Sequence, residues 1–216
     1  MKLEYKIDYT RAYNAVKKLL RENLANTIYI FELVRALNPP SLRWCYNKIL
    51  ETESGAAIAY NSEEVSEYFS TLSERPEGSV GKECHKIFPD QEYLLKLSRR
   101  MNRKDNWINA KHPHIWIMRR NRDTHDSWHT LTGYPPTVIG EMCLAAFTFA
   151  QTKGLGWLMI CLLVIYKYGR QQPELISMSR HAYLRGKNAK FLLAENYDDL
   201  FSENLESARK RLNILP

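Results

Sequence analysis

The stretch RRNRDTHDSWHTLTGYPPTVIGEM, residues 119–142, joins two helical patterns through a turn. The first pattern predicts one long helix over 114–132. Gly133 ends that helix, and the prolines behind it prevent its continuation. A second helix is predicted from Thr137 to Thr152. Because the chain reverses at the turn, the first turns of the second helix return toward the end of the first.

The same helical spacing of apolar residues recurs along most of the chain. It predicts further helices over 9–24, 28–37, 42–50, 62–72, 81–88, 90–101, 157–168, 173–184 and 198–212, with loops over 51–60 and 102–110. The sequence offers no convincing strand pair, internal repeat or low-complexity linker. We therefore predict an all-α chain in which one helical domain covers residues 1–216 as a bundle of about ten helices.

The net charge of +7 limits the classes of partner. A basic balance attracts nucleic acid, an anionic membrane surface or an acidic substrate. Zinc-finger spacing, an RNP motif and a basic heptad helix are absent from the sequence, so we expect a membrane surface and no nucleic acid. Each basic patch, at 99–104, 119–122 and 209–211, is interpreted by itself as a solvated face.

The apolar stretch from Leu155 to Tyr166 is too short to span a bilayer, which takes roughly 20 residues. It predicts a buried core helix or a helix that lines an apolar cavity. The four cysteines are too far apart for a CxxC pair, which indicates free thiols in a reducing compartment. The first ten residues are polar and lack the apolar core of a secretory leader.

The run His125-Asp126-Ser127-Trp128-His129 presents metal-ligating side chains on one helix. Histidines four residues apart share a helix face and can bind one ion. Asp126 can swing to the same ion, and the reversal at Gly133 can bring Glu141 back to it. Two imidazoles and two carboxylates suit Zn²⁺, Fe²⁺ or Mn²⁺, and to a lesser extent Mg²⁺.

The motif alone leaves an ordinary alternative equally open. HDxxH also describes a surface helix with an Arg122–Asp126 ion pair and two unremarkable histidines. It is not the zincin motif, because Asp126 stands where that motif has a longer glutamate. The second histidine and aspartate of the HD-type phosphohydrolases are not found at a suitable spacing.

Residues 119–141 resemble the motif of the coenzyme Q biosynthesis protein 4 family, which is HDxxH, eleven residues, then Glu. Here residues 130–140 provide the eleven. The turn Pro76-Glu77-Gly78-Ser79-Val80-Gly81 is similar to the family's P-x-G-S-L-G turn, and Gly186 with the segment 189–212 is similar to its C-terminal region. The resemblance covers the chain from about residue 10 to its end.

This resemblance implies a helical fold with a divalent metal at His125, Asp126, His129 and Glu141. Zinc is the first expected ion, and magnesium, iron and manganese are the alternatives. The resemblance implies a polyprenylated aromatic or other isoprenoid lipid as substrate, and a role in its C1 oxidative decarboxylation. It further implies association with other quinone-biosynthesis enzymes and with a membrane. Because an organelle-targeting leader is absent, we expect a bacterial member of the family. We further expect the protein to be a homodimer in the cytoplasm that associates peripherally with the cytoplasmic face of a membrane.

Two further sets of residues are candidates for holding such a substrate. Arg122 and Arg119 share the ligand stripe and could bind an anionic head group, although pairing with Asp123 or Asp126 is equally open. An apolar groove beside the metal site would hold the tail, and for each of its candidate residues plain core packing is the alternative. The candidates are Ala145, Phe149, Leu158, Cys161, Leu162 and Ile165.

The function can therefore be stated as two hypotheses of different classes. In the first, the chain is a metal-dependent decarboxylase, a lyase, of a polyprenyl hydroxybenzoate. In the second, it is a non-catalytic prenyl-lipid-binding scaffold for other quinone-biosynthesis enzymes, and its metal is structural. A metallohydrolase of esters or phosphates is a weaker third hypothesis.

Overall fold

The computed structural model describes residues 6–90 and 112–214. In these ranges the regular structure is helical, with an isolated bridge between Ser79 and Asn204. The helices are α1 Tyr9–Arg21, α2 Thr27–Leu37, α3 Pro39–Ile49, α4 Glu53–Asn61, the 3-10 helix η1 Val65–Glu74, α5 Val80–Ile87, α6 Pro113–Asp123, α7 His125–Thr132, α8 Val138–Thr152, α9 Leu155–Tyr168, α10 Leu175–Asn188, the 3-10 helix η2 Leu192–Ala194, α11 Tyr197–Ser202 and α12 Leu205–Arg211.

The predicted all-α, single-domain fold class is confirmed. That one domain covers the whole of residues 1–216 stays a prediction. The helix predicted over 90–101, the link over 102–110 and the basic patch at 99–104 fall largely or wholly outside the described residues. Among the described helices, none combines the length and the apolar character needed to cross a membrane.

The helix predicted over 114–132 is in fact two helices, α6 and α7, which meet at Thr124. The hydroxyl of Ser127 donates to the carbonyl oxygen of Thr124 at 2.6 Å, and the Thr124 hydroxyl donates to that of Asn121 at 3.4 Å. Side-chain bonds of this kind compete with the helical backbone ladder and bend it. Hydroxyl side chains at this point thus divide into two helices a segment whose continuous apolar spacing predicted one.

Three other predicted boundaries are wrong for local reasons. Pro39 opens α3, three residues before the predicted start at residue 42, because a first-turn proline needs no N–H partner. The predicted loop over 51–60 is largely α4, which Thr52 caps and which is rich in alanine, the best helix former. Residues 198–212 form two helices, because Asn204 begins a new one by accepting from the amides of Glu206 and Ser207.

The chain is organised as two compact units, and the first comprises Met1–Trp44 and Tyr134–Asn188. Its apolar core is built from α1, α2, α8, α9 and α10. Two helices of this unit approach closely at Gly186 of α10, where an added Cβ would lie 2.5 Å from the carbonyl oxygen of Phe147. On α9, Gly156 likewise leaves room for the backbone of Val34, 2.7 Å from an added Cβ.

The second unit comprises Cys45–Gly133 and Ala189–Pro216. Its largest fully buried side chains include Trp116, Trp128, Tyr197 and Phe201. They bring α6 and α7 together with the segment after residue 189, so residues more than sixty positions apart share one core. Trp128, for instance, donates its indole N–H to the Tyr197 hydroxyl at 2.7 Å.

Arg120 of α6 lies inside this core with none of its surface exposed. Its guanidinium donates to the carbonyl oxygens of Leu193 at 2.8 Å, Glu195 at 2.6 Å and Glu63 at 3.3 Å. The same group lies 5.4 Å from the ring centre of Trp116 and 5.2 Å from that of Tyr197. The patch at 119–122 was predicted to be a solvated face, and for Arg120 this is wrong.

The substitution Gly186→Ala should destabilise the first unit. In an ordinary helix interior, alanine is about 1 kcal/mol better than glycine. Here the added methyl would collide with the backbone of α8, so we expect a net loss of about 1–3 kcal/mol, seen as a lower melting temperature by circular dichroism. Lys187→Ala, at an exposed neighbouring position, is the control and should leave the melting temperature nearly unchanged. An equal or raised melting temperature for Gly186→Ala would contradict the close packing.

The substitution Arg120→Met should destabilise the second unit by about 2–4 kcal/mol, because the carbonyl oxygens of Leu193 and Glu195 lose a charged donor, although that of Glu63 still accepts from Trp116. Chemical denaturation measures this free energy of unfolding. Arg43→Met, which removes an exposed arginine from α3, should cost less than about 0.5 kcal/mol. Equal effects of the two substitutions would show that the Arg120 hydrogen bonds contribute little.

Candidate metal centre

Helix α7 holds the two histidines of the HDxxH motif on one face. His125 is partly exposed and His129 is 1% exposed. Their ring centres lie 4.9 Å apart with the planes at 90°, as expected for residues four apart on a helix. The ring of Phe88, at the end of α5, lies 5.5 Å from His129 and shields it from water. The pair therefore has one covered imidazole and one that solvent can reach.

A tight turn follows α7 and leads directly into α8. Gly133 takes the left-handed conformation with φ of 75° and donates its N–H to the carbonyl oxygen of His129 at 2.8 Å. Thr137 begins α8 by accepting from the amide of Gly140 at 3.2 Å. An added Cβ on Gly140 would lie 1.9 Å from the carbonyl oxygen of Pro135, so the turn needs glycine there. This places Glu141 in the first turn of α8.

His125, His129 and Glu141 form a group that could hold a metal ion. One ligand atom from each residue lies within 4.8 Å of the others. For comparison, ligand atoms about 2.0–2.2 Å from a tetrahedral ion lie about 3.4 Å apart. Two imidazole nitrogens and one carboxylate oxygen are ligands that zinc, iron and manganese accept. That these three side chains bind a metal stays a prediction.

Asp126 is partly buried on α7 but is not a member of this group of three. Its predicted role as a fourth ligand stays a prediction. The identity of the ion also stays a prediction, since the donor set fits several divalent metals.

The two candidate head-group arginines both have acidic partners. Arg119 donates from two nitrogens to one oxygen of Glu64, at 2.9 and 2.6 Å. Arg122 donates to Asp123 at 2.5 Å, which is one of the pairings left open by the sequence. Burial raises the pKa of the Asp123 carboxyl, and the Arg122 charge opposes that rise. The role of these arginines in binding a head group stays a prediction.

The six tail-groove candidates differ in exposure. Ala145 and Cys161 are buried in the core of the first unit, where burial raises the pKa of the Cys161 thiol to about 12. Phe149 and Ile165 pack against that core. Leu158 is partly buried, and Leu162 is 49% exposed. The groove itself stays a prediction.

Sequence reasoning did not assign a role to two residues that contact α7. Tyr197 accepts from Trp128, and burial raises the pKa of its phenol to about 12. Arg209 donates to carbonyl oxygens at the end of α7, although the patch at 209–211 was interpreted as solvated. Asn204 marks the start of a helix that places Arg209, but a sequence pattern alone does not show which side chain reaches a distant carbonyl.

The sequence model of the family described as coenzyme Q (ubiquinone) biosynthesis protein Coq4 matches residues 11–216. Among curated proteins, the mitochondrial ubiquinone biosynthesis protein COQ4 homolog of Nematostella vectensis is 34% identical over 111 residues, which is 47% of this chain and 51% of the relative. The homolog of Bombyx mori is 25% identical over 184 residues, 81% of this chain and 68% of the relative. The chain spans about half the length of the first of these.

A solved structure has a similar fold. It is the crystal structure of a protein from Nostoc punctiforme, described provisionally as a ubiquinone biosynthesis protein, with a TM-score of 0.67 and 19% identity. The similarity covers 98% of this chain and 100% of that one. At this identity the likeness shows the fold alone, whereas the family assignment rests on the match over residues 11–216. The chain therefore belongs to the coenzyme Q (ubiquinone) biosynthesis protein Coq4 family.

Proposed function

We propose that the protein acts in quinone biosynthesis by binding the aromatic head of a polyprenylated precursor at a divalent metal held by His125, His129 and Glu141. The convergence of these three side chains is the observation that supports the proposal most directly. Asp126 is the fourth ligand in this proposal. A bound divalent ion would supply a Lewis acid at this position, with zinc as the first candidate.

The residues of the chain would then bind and orient the substrate. His129 and Phe88 form a covered side of the site, which excludes water from the aromatic head. The more exposed His125 faces the side from which a ligand can enter. The positive charge of Arg122, which Asp123 holds in place, would contribute to the attraction for a ring carboxylate.

The prenyl tail would lie along α9. Leu158, Leu162 and Ile165 are spaced by four and three residues and so share one face of that helix. Their partial exposure leaves apolar surface for an isoprenoid chain, which buried Ala145 and Cys161 do not provide. Exposed Lys167 near the helix end suits an anionic membrane surface, and we propose that the protein collects its substrate there.

The proposed reaction is the replacement of the ring carboxyl at C1 by a hydroxyl. The carbon–carbon bond to the carboxyl breaks and carbon dioxide leaves, while a carbon–oxygen bond forms at the same carbon. With dioxygen as oxidant, the second oxygen atom leaves as water, which takes two electrons and two protons from an external donor. Homodimer formation, other biosynthetic enzymes as partners, and a location on the cytoplasmic membrane face belong to the same proposal.

His129→Ala should abolish metal binding, because it removes the covered imidazole ligand. We expect the affinity for Zn²⁺ to fall at least about 100-fold, measured by calorimetry and by elemental analysis of dialysed protein. His181→Ala, which removes an exposed histidine from α10, is the control and should bind as the parent does. Retention of full metal content by His129→Ala would remove this histidine from the ligand set.

Cells that lack their own family member should recover quinone synthesis with the parent chain and not with His129→Ala or Glu141→Gln. The measured quantities are the quinone and the carboxylated precursor, which should accumulate if decarboxylation stops. Mass spectrometry of lipid that co-purifies with the parent protein identifies the tail and head. Expression levels of the three proteins must match, so that loss of folding is not mistaken for loss of function.

The scaffold hypothesis predicts a different result. If quinone synthesis survives loss of the metal, the decarboxylase proposal is wrong and the ion is at most structural. If purified, metal-loaded protein with dioxygen and a reductant leaves a prenylated hydroxybenzoate unchanged but binds it, lipid binding for other enzymes becomes the function. Turnover of that substrate by the purified protein would exclude the scaffold hypothesis.

A further inference from the structure

Helix α7, which holds both histidines, is only eight residues long. Isolated helices of this length are not stable in water, because few backbone bonds offset the cost of ordering them. Its last carbonyl groups also lack partners within the helix. The position of His129, in the final turn, therefore depends on groups outside α7.

Arg209 of α12 supplies such groups at the carboxyl end of α7. Its Nε donates to the carbonyl oxygen of Leu131 at 2.9 Å, and a terminal nitrogen donates to that of Thr130 at 2.9 Å. The third nitrogen pairs with Glu206, one turn earlier on α12, at 2.6 Å. All three nitrogens are thus engaged, and two of them bind backbone that flanks His129.

The position of the Arg209 guanidinium at the carboxyl end of α7 is also favourable electrostatically. A helix carries partial negative charge at its carboxyl end, and a cation there is stabilising. The guanidinium lies close to the turn at Gly133, where an added Cβ would be in ordinary van der Waals contact with a terminal nitrogen of Arg209 at 3.6 Å. The carbonyl of His129 is already bound by the amide of Gly133 at 2.8 Å. Together these bonds satisfy three successive carbonyls at the end of the helix.

The middle of α7 is held by the same C-terminal segment. Trp128 donates to the Tyr197 hydroxyl, which is fully buried. Residues 197 and 209 thereby hold α7 at its middle and at its last turn without belonging to the candidate metal ligands.

We propose that Arg209 is a positioning residue of the metal centre, which fixes the last turn of α7 and with it the imidazole of His129. This inference rests on the metal centre advanced under Proposed function. Arg209 does not touch the ligand atoms. It acts by preventing the last turn from fraying, so that His129 is oriented before an ion arrives.

The inference differs from a general contribution to stability. A purely structural arginine would change the free energy of unfolding but not the metal affinity of the molecules that remain folded. A positioning residue must change that affinity, because the ion then has to order the last turn of α7 as it binds. Arg211 offers a matched comparison, since it pairs with Glu195 and Glu203 and is two residues away on the same segment.

The test measures Zn²⁺ affinity by calorimetry for the full-length parent, Arg209→Ala, Arg209→Lys and Arg211→Ala, at a temperature where denaturation curves show each to be folded. We expect a loss of about 10–100-fold for Arg209→Ala, the size seen for residues that orient ligands. Arg209→Lys should be intermediate, because an ammonium is a point donor that does not reproduce the fork of a guanidinium. Arg211→Ala should match the parent.

Hydrogen exchange of the metal-free proteins provides a second readout. The amides of residues 128–133 should exchange faster in Arg209→Ala than in the parent, while those of α8 should not change. If the parent binds Zn²⁺ and Arg209→Ala binds it equally well, the positioning role is wrong and the metal centre stands. If the parent binds none of the divalent metals tried, the metal centre itself fails, and the inference fails with it.

Discussion

The buried guanidinium of Arg120 is the constraint on which the second unit depends. Removing a charge from water is costly, and burial lowers the pKa of this group in consequence. The cost is offset because three carbonyl oxygens and two aromatic rings surround it. Those carbonyls belong to Glu63, Leu193 and Glu195, so a single side chain of α6 fixes segments that are distant in sequence. The path of the C-terminal segment beside α6 and α7 is therefore set by polar bonds as well as by apolar packing.

That path has a consequence for the candidate site. Once the segment after residue 189 is held at Leu193 and Glu195, Tyr197 is fixed next to Trp128, and Asn204 starts the helix that presents Arg209. The candidate ligands lie within a short stretch, 125–141, on one helix face and beyond a glycine-bounded turn. The candidate site is thus encoded locally, whereas the hydrogen bonds that Tyr197 and Arg209 make to α7 come from residues more than sixty positions away.

The sequence could predict the features that local rules determine. The helical period and the turn at Gly133 together predicted α8 and a return of Glu141 toward the end of the preceding helix. The break at Thr124 could not be predicted, since hydroxyl side chains there compete with a backbone whose apolar pattern is unbroken. Nor could the full burial of Arg120 be predicted, since the neighbouring Arg119 and Arg122 are the same residue type and are only partly buried. Its position four residues after Trp116, on the apolar face, was the available signal, but an arginine is rarely fully buried unless paired.

The number of carboxylates at the site governs the kind of ligand that it attracts. A divalent ion held by two neutral imidazoles and by Glu141 keeps one net positive charge, because only one ligand is anionic. Such a centre favours an anionic group in its remaining coordination position, and the carboxylate of a hydroxybenzoate is one. With Asp126 as a further ligand the charge is cancelled, and the attraction for the head group then falls to arginine. With three ligands the centre itself would attract the carboxylate head, whereas with Asp126 bound the remaining cation would be Arg122, whose charge is already partly balanced by Asp123. The charge on the centre, rather than the identity of the ion, therefore links the ligand set to the proposed substrate.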